Sequence, residues 1–318
     1  MPTAALAARL VRHGAPLEIA EVILPDPLED ELLVELAFAG VNPVDHYIAL
    51  GRVAPEGPLP RTLGSEATGL VEGAPVLVRG HGLGARRDGL FATAAVVPRA
   101  AVVRLPPGVD LAAAASMGVA GLTAWRTAVE LGDLRPDDRV LVLGASGGVG
   151  SIVCSLAARR GARVWAQTAH EDKRAFLVSL GIEQVVVCDA EGLAEAAGTL
   201  APTIVFDGLG GPFTGAALRA LAPLGRLVLY GTSAGATAEL PLQHLYRNGQ
   251  RLLGYGGLSE PEERARPALN AALVALASGE LEVVVGAVVP LGKANEAFAQ
   301  ITARTVRGQV VLDLRRGA

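Results

Sequence analysis

The chain changes rhythm twice. From about Ala5 to Arg104, apolar residues come in short runs cut by Gly, Pro and Asp: ARLVRHG, ELLVELAFAG, EATGLVEG, FATAAVVP. Such runs predict strands joined by turns. A mostly helical stretch is expected from Leu111 to Leu131. Between Arg139 and about Tyr255, continuous apolar runs (RVLVLG, RVWAQ, QVVVCD, TIVFDG, RLVLYG, RLLGYGG) alternate with helical patterns (VGSIVCSLAARRG, DKRAFLVSLG, FTGAALRALAPLG). Unbroken apolar strands with helical crossovers predict a parallel sheet covered on both faces. After Pro261 the pattern of the N-terminal part returns: an amphipathic helix carrying Leu269, Leu273 and Leu276, then VVVGAVVP, ANEAFAQITAR and GQVVLDL. The expected organisation is α/β, with a nucleotide-binding domain at 121–255 inserted into a second domain made of 1–120 and 256–318.

Composition narrows the class. The 318 residues are 51% apolar, enough for two cores; 39 glycines and 4% aromatics suit tightly packed α/β layers. A net charge of −4 leaves no basic footprint for nucleic acid. Mean hydropathy is +0.39. Yet the longest apolar run, Leu111 to Trp125, is broken by Ser116, Gly118, Gly121 and Thr123, and it is shorter than the ~20 residues of a bilayer span. No membrane segment is expected. Arg9 and Arg12 leave no hydrophobic leader between them and the start, so no signal peptide is expected. Cys154 and Cys188 lack a CxxC partner and read as buried small residues of a reducing cytoplasm.

The stretch with most chemical content is GASGGVG, 144–150. Gly147 and Gly150 take the second and third places of a G-x-G-x-x-G loop, with Ala145 in place of the first. The context is the required one, a strand before and a helix after. A glycine at 147 lets backbone approach a pyrophosphate, and one at 150 lets the helix pack on the sheet. The amides of Ala145, Ser146, Gly147, Gly148, Val149 and Gly150 then become the candidate phosphate cradle.

An acid about 20 residues beyond the first glycine marks sites that bind an unphosphorylated ribose. Here that window is Trp165-Ala166-Gln167, with none. Its absence admits a 2′-phosphate, so the expected coenzyme is NADPH. Thr168, His170, Lys173 and Arg174 follow at once; Thr168 and Lys173 are the candidate readers of that phosphate. The plainer reading makes Lys173 and Arg174 solvated charges beside Glu171 and Asp172.

The segments AGVNPVDHY (39–47), GSEATG (64–69), GLFATAAVVP (89–98), GLTAW (121–125), GASGGVG (144–150), FDGLGG (206–211), VLYG (228–231) and RGQVVL (307–312) together resemble the medium-chain dehydrogenase/reductase superfamily, and within it the zinc-free quinone oxidoreductases that include zeta-crystallin. The resemblance covers essentially the whole chain. It implies a Rossmann doubly wound parallel sheet joined to a GroES-like, partly open β-barrel. It further implies coenzyme contacts at Thr123, Gly208, Tyr230, Gly231 and Arg307, and a homodimer formed through the edge strand RLLGYGG.

Zinc enzymes of that superfamily carry a ligand Cys shortly before an Asp, and later a G-H-E motif. Here the first region reads Val41-Asn42-Pro43-Val44-Asp45 and the second Gly64-Ser65-Glu66. The thiolate and imidazole are both missing, and two cysteines in all do not make a four-cysteine structural site. No metal is expected. Without a Lewis acid, the natural use of NADPH is hydride addition to an already electrophilic carbon, so the expected activity is a reductase of quinones, enones or other activated alkenes. The oxygen that gains charge needs a hydrogen-bond donor. Tyr47 matches a tyrosine of the quinone-reductase motif, and Asn42 is assigned to positioning nicotinamide or substrate. Asp45 and Glu66 are expected to hold the architecture.

Two other readings stand beside this one. A 2-enoyl-thioester reductase of the same superfamily places its donor tyrosine near Gly51, where this chain has Val53. A protein of another class would bind NADPH without turnover, as a sensor or structural protein. The segment RGHGLGARRDG departs from the family pattern; His81, Arg86 and Arg87 there either rim a substrate cleft or form a solvated loop.

Overall fold

The computed structural model describes residues 3–182 and 184–315. By internal contacts these fall into two units. One comprises the described residues of Met1–Ala120, Leu269–Ala277 and Val285–Ala318; the other comprises those of Gly121–Ala268 and Ser278–Val284.

The first unit is built on eight strands from the N-terminal part, β1 (Thr3–Leu10), β2 (Glu18–Leu24), β3 (Glu31–Val41), β4 (Arg61–Thr62), β5 (Glu66–Val71), β6 (Ala74–Arg79), β7 (Ala94–Pro98) and β8 (Val102–Arg104). A small antiparallel sheet runs β2-β1-β4. In the large sheet β3 pairs antiparallel with β5 and with β7, and β5 continues through β6 to β8. A bulge between Leu36 and Phe38 shifts the β3–β5 register and bends the strand locally. Leu10, Val34, Leu63, Val76, Val78, Leu90 and Phe91 fill the core between these sheets. β3 runs directly into the helix Pro43–Ala49, whose start is set by Pro43 at its first position and by the Asp45 carboxylate accepting from the Asn42 amide at 2.8 Å.

The second unit carries six parallel strands: β9 (Arg139–Leu143), β10 (Arg163–Thr168), β11 (Gln184–Val187), β12 (Ile204–Asp207), β13 (Arg226–Leu229) and β14 (Arg251–Gly254). Their order, β11-β10-β9-β12-β13-β14, is the 3-2-1-4-5-6 of the Rossmann fold. Val140, Leu141, Val142 and Leu143 on β9 are fully buried, which explains an unbroken apolar run where a half-exposed strand would alternate. The doubly wound parallel sheet expected from the sequence is the one observed.

At the amino ends of these strands Arg226 closes a buried bracket. Its guanidinium donates to Asp138 at 2.6 and 3.1 Å, to the Asp133 carbonyl at 2.8 Å and to the Gly132 carbonyl, while Thr203 donates to Asp138 at 2.6 Å. That ties β9, β12 and β13 together at their starts and leaves their carboxyl ends to the loops.

After Leu269–Ala277 the chain re-enters the first unit with β15 (Val285–Pro290) and β16 (Gln309–Asp313). β16 lies between β15, to which it is parallel, and β3, to which it is antiparallel.

The helical stretch 111–131 is not one regular helix. Short α-helical turns at Leu111–Ala114 and Leu122–Trp125 alternate with wider π turns at Met117–Gly121 and Arg126–Leu131. The Thr127 hydroxyl donates back to the Thr123 carbonyl at 2.7 Å, and Thr127's own carbonyl accepts from Gly132 at 2.8 Å. Hydroxyl back-bonding competes with the regular ladder, and the five-residue spacing widens it. Among the described residues no helix is long and apolar enough to cross a membrane.

Candidate coenzyme and acceptor residues

In an open α/β sheet, ligands bind outside the carboxyl ends of the strands where the order reverses. Here the reversal lies between β10 and β12, with β9 at the centre. The chain leaving β9 turns at Gly144, whose φ of +68° is a left-handed conformation that favours glycine. The tight-turn role is therefore carried by Gly144, one residue ahead of Ala145, which is fully buried. Gly147, extended at φ −79° and ψ 177°, caps the helix Gly148–Arg159. A Cβ on Gly147 would meet only the Gly144 carbonyl, at 3.4 Å, so the outer side of the residue is open. A Cβ on Gly150 would strike Gly144 O at 2.5 Å and Ala145 Cα at 2.9 Å. The amides of Gly148, Val149 and Gly150 lie in the first helical turn, where no intrahelical acceptor reaches them. An open backbone, free amides and the positive end of a 12-residue helix fit a pyrophosphate. Ser146 is buried beside them.

Gln167, where an acid was sought, is 1% exposed and fully engaged. Its Oε1 accepts from the Gly144 amide at 3.0 Å, its Nε2 donates to the Cys188 carbonyl at 2.7 Å, and its own carbonyl accepts from Ala145 at 3.0 Å. Thr168 is buried next to it; its hydroxyl accepts from the His170 amide at 3.4 Å. Lys173 is buried as well, at the last position of a short 3₁₀ turn, Glu171–Lys173. Arg174 is taken by Glu171 and by the Val185 carbonyl at 3.1 Å. Of the two cations considered for a 2′-phosphate, Arg174 is thus committed elsewhere.

Beyond β12 and β13 the loops are equally close-fitting. A Cβ on Gly208 would enter the Tyr230 ring at 2.8 Å from Cε2, and one on Gly231 would meet Gly208 O at 2.6 Å. Asp207 fixes this loop by accepting from the amides of Leu209 and Gly210 at 2.8 and 2.9 Å and from the Thr214 hydroxyl at 2.6 Å. Burial pushes both the Asp207 carboxyl and the half-buried Tyr230 phenol up. Sequence reasoning passed over Asp207, although an Asp followed by paired glycines is a turn signature. Thr123 is half-buried, with its carbonyl held by Thr127.

In the first unit, buried Asn42, Asp45 and Glu66 form a polar network with half-buried Ser65. Asp45 accepts from the Ser65 amide at 3.0 Å and hydroxyl at 2.5 Å, in addition to the Asn42 amide. Asn42 Nδ2 donates to Glu66 Oε1 at 2.7 Å, and Glu66 Oε2 accepts from the Val119 amide at 2.9 Å. Burial pushes the Asp45 carboxyl up to about 6, against the pull of its donors. Burial, with the nearby Asp45 charge adding to it, pushes Glu66 up to about 8. Gly40 makes room for this carboxylate; a Cβ there would meet Glu66 Oε1 at 2.5 Å. Ser65 and Asn42, which stand in the regions where zinc relatives carry imidazole and thiolate, spend their donors on the two carboxylates. Among the described residues no group of three or more His, Cys, Asp or Glu is arranged to hold a metal ion. Tyr47, half-buried, lies two positions beyond Asp45 on the same helix, and Arg307 is exposed in the turn before β16.

Residues 148–273 match a family model described as zinc-binding dehydrogenase. Quinone oxidoreductase 1 of Escherichia coli K12 is 28% identical over 320 residues, covering 95% of this chain and 97% of that protein. One chain of the phenolphthiocerol/phthiocerol polyketide synthase of Mycobacterium tuberculosis is 31% identical over 312 residues, which is 94% of this chain but 14% of the synthase chain. Among solved structures, the quinone oxidoreductase of Thermus thermophilus, known also in complex with NADPH, superposes with a TM-score of 0.84 at 30% identity, covering 97% of this chain and 100% of that one.

Proposed function

Because the chain belongs to the medium-chain dehydrogenase/reductase superfamily, and is on that ground an oxidoreductase using a nicotinamide coenzyme, we propose that it is a zinc-independent, NADPH-dependent reductase of quinones or other activated alkenes. The observation that carries the reading is the closed Asn42–Asp45–Ser65–Glu66 network. Asn42 Nδ2 and Ser65 Oγ each donate to one of its carboxylates, and neither of these two positions offers a thiolate or imidazole to fix a Lewis acid. A substrate must therefore arrive already electrophilic, as a quinone or enone does.

The coenzyme, when bound, supplies a hydride. The protein's part is binding, orientation and stabilisation of charge. The amides of Gly148, Val149 and Gly150 hold the pyrophosphate, Gly147 gives it room, and Thr168 with Lys173 takes the 2′-phosphate. Thr123, Gly208, Tyr230, Gly231 and Arg307 are assigned the remaining coenzyme contacts. Tyr47 is assigned the hydrogen bond to the acceptor oxygen that gains charge during reduction. Asn42, held by Glu66, is assigned to orienting the reactants. The assembly in this reading is a cytoplasmic homodimer joined along β14, the outer strand of the parallel sheet, whose Leu252 is exposed and unshared by any described strand on that side.

The similarity to part of a polyketide synthase favours a second reading as a 2-enoyl-thioester reductase. Val53 at the position of that reaction's tyrosine weighs against it. The deciding experiment follows NADPH oxidation with a panel of quinones, enones and enoyl thioesters. Turnover of quinones or enones above thioesters is the expected result. Selective turnover of thioesters supports the second reading, and tight NADPH binding with no turnover on any acceptor defeats both.

A further inference from the structure

We propose that Gln167 is a positioning residue for the coenzyme's pyrophosphate, acting through Gly144. The proposal rests on the dinucleotide site of the reading above and adds a residue to it. Gly144 presents an amide that needs an acceptor, and Cys188, just beyond β11, presents a carbonyl that needs a donor. The Gln167 carboxamide meets both, at 3.0 and 2.7 Å, and an amide side chain offers a donor and an acceptor of that reach in one planar group that stays neutral at every pH. A carboxylate at 167 would still accept from Gly144 but would set a buried negative oxygen against the Cys188 carbonyl. The acid is missing because the position is a clamp, and the clamp has to be neutral.

Its leverage runs through the turn. With the Gly144 and Ala145 amides both pointed at Gln167, the Gly144 carbonyl faces the other way. There it accepts from Gly147 at 3.0 Å and sits against Gly150. That arrangement aims the free amides of residues 148–150. Gln167 is 1% exposed, so its effect is on the geometry of the cradle. That cradle serves NADPH and NADH alike, because both carry the same pyrophosphate.

The test uses the whole chain and the variants Gln167→Met, which keeps length without polar ends, and Gln167→Glu. Binding of NADPH and NADH is read by fluorescence titration and of ADP by calorimetry. An orphaned buried amide predicts a Kd raised about tenfold for all three ligands in Gln167→Met. The NADPH-to-NADH ratio and kcat at saturating coenzyme should stay within about twofold of wild type, since the lost bonds serve the shared diphosphate. Gln167→Glu should shift in the same direction. Unchanged affinities in a folded variant overturn the proposal, and so does a changed ratio with unchanged ADP binding, which would mean direct contact with the ribose. Hydrogen exchange on the wild-type, coenzyme-free protein tests it without a variant. The Gly144 and Ala145 amides should already be protected, with new protection at 148–150 appearing on binding; a fast Gly144 amide in the free protein overturns it. A wild type that binds neither coenzyme defeats the reductase reading as well, whereas wild-type binding matched by Gln167→Met defeats the clamp alone.

Discussion

The carbonyl oxygen of Gly144 occupies the place where a side chain on Gly150 would begin. A Cβ there would lie 2.5 Å from that oxygen, and the atoms in the way belong to backbone that cannot rotate aside. Gly150→Ala should therefore lift the first turn of the helix Gly148–Arg159 off the strand end. Overpacking of this kind destabilises by about 1–3 kcal/mol, and NADPH affinity should fall by more than the loss of stability explains. Thermal melts with and without NADPH check this: the coenzyme-induced rise in Tm should shrink or vanish in the variant.

Lys173 gives a prediction on coenzyme choice. One charged hydrogen bond is worth about 1.5–3 kcal/mol, so Lys173→Ala should reduce the preference for NADPH over NADH about tenfold or more. The ratio of kcat/KM values for the two coenzymes is the measurement, and an unaltered ratio removes Lys173 from the 2′-phosphate site.

Tyr47 gives one on catalysis. If its phenol donates to the product oxygen, Tyr47→Phe should lower kcat by about tenfold to a hundredfold with little change in the KM of NADPH. A rise in acceptor KM at constant kcat would instead make the ring a packing surface.

The buried carboxyls predict a pH dependence of stability. Glu66 is held at about 8 against an ordinary 4.5, and Asp45 at about 6 against 3.8. In each case the folded state keeps a proton that the unfolded chain releases, so stability is greatest below the ordinary values and falls as pH rises through the window between the two. The Tm should drop by several degrees between about pH 5 and pH 8. Glu66→Gln, which cannot ionise, should flatten the upper part of that slope and leave the Asp45 part; a slope identical to wild type would show that Glu66 is already ionised in the fold.

Sequence patterns carried the fold a long way because both periodicities are intact. β9 is apolar on both faces from Val140 to Leu143, and the strand–helix alternation that follows has few other solutions than a doubly wound sheet. The glycine loop was legible for a related reason: Gly150 has no room for a side chain and Gly147 leaves its outer side open, and both constraints are local, which is what sequence spacing encodes. Residues that act by long-range hydrogen bonds left no such trace. Gln167 was visible only as an absence, because its partners at 144 and 188 lie 23 and 21 positions away in the chain. Asp207 was hidden within a glycine-rich string, and the bond from Arg174 to the Val185 carbonyl shows only in the fold. The stretch 111–131 was expected only as mostly helical, and its irregularity left no mark in the sequence because the Thr127 back-bond that widens it looks like any other threonine.

The position of β16 has a consequence for how the molecule is made. This strand, Gln309–Asp313, lies between β3 and β15, and β3 has emerged from the ribosome about 270 residues before it. Until β16 arrives, residues 38–41 at the end of β3 lack a partner on one edge, where β7 covers only residues 31–35, while every strand of the parallel sheet has already been translated. The dinucleotide unit is thus positioned to mature while the sheet around β3 still waits for β16, which makes that stretch of the nascent β3 edge a segment a chaperone has reason to cover.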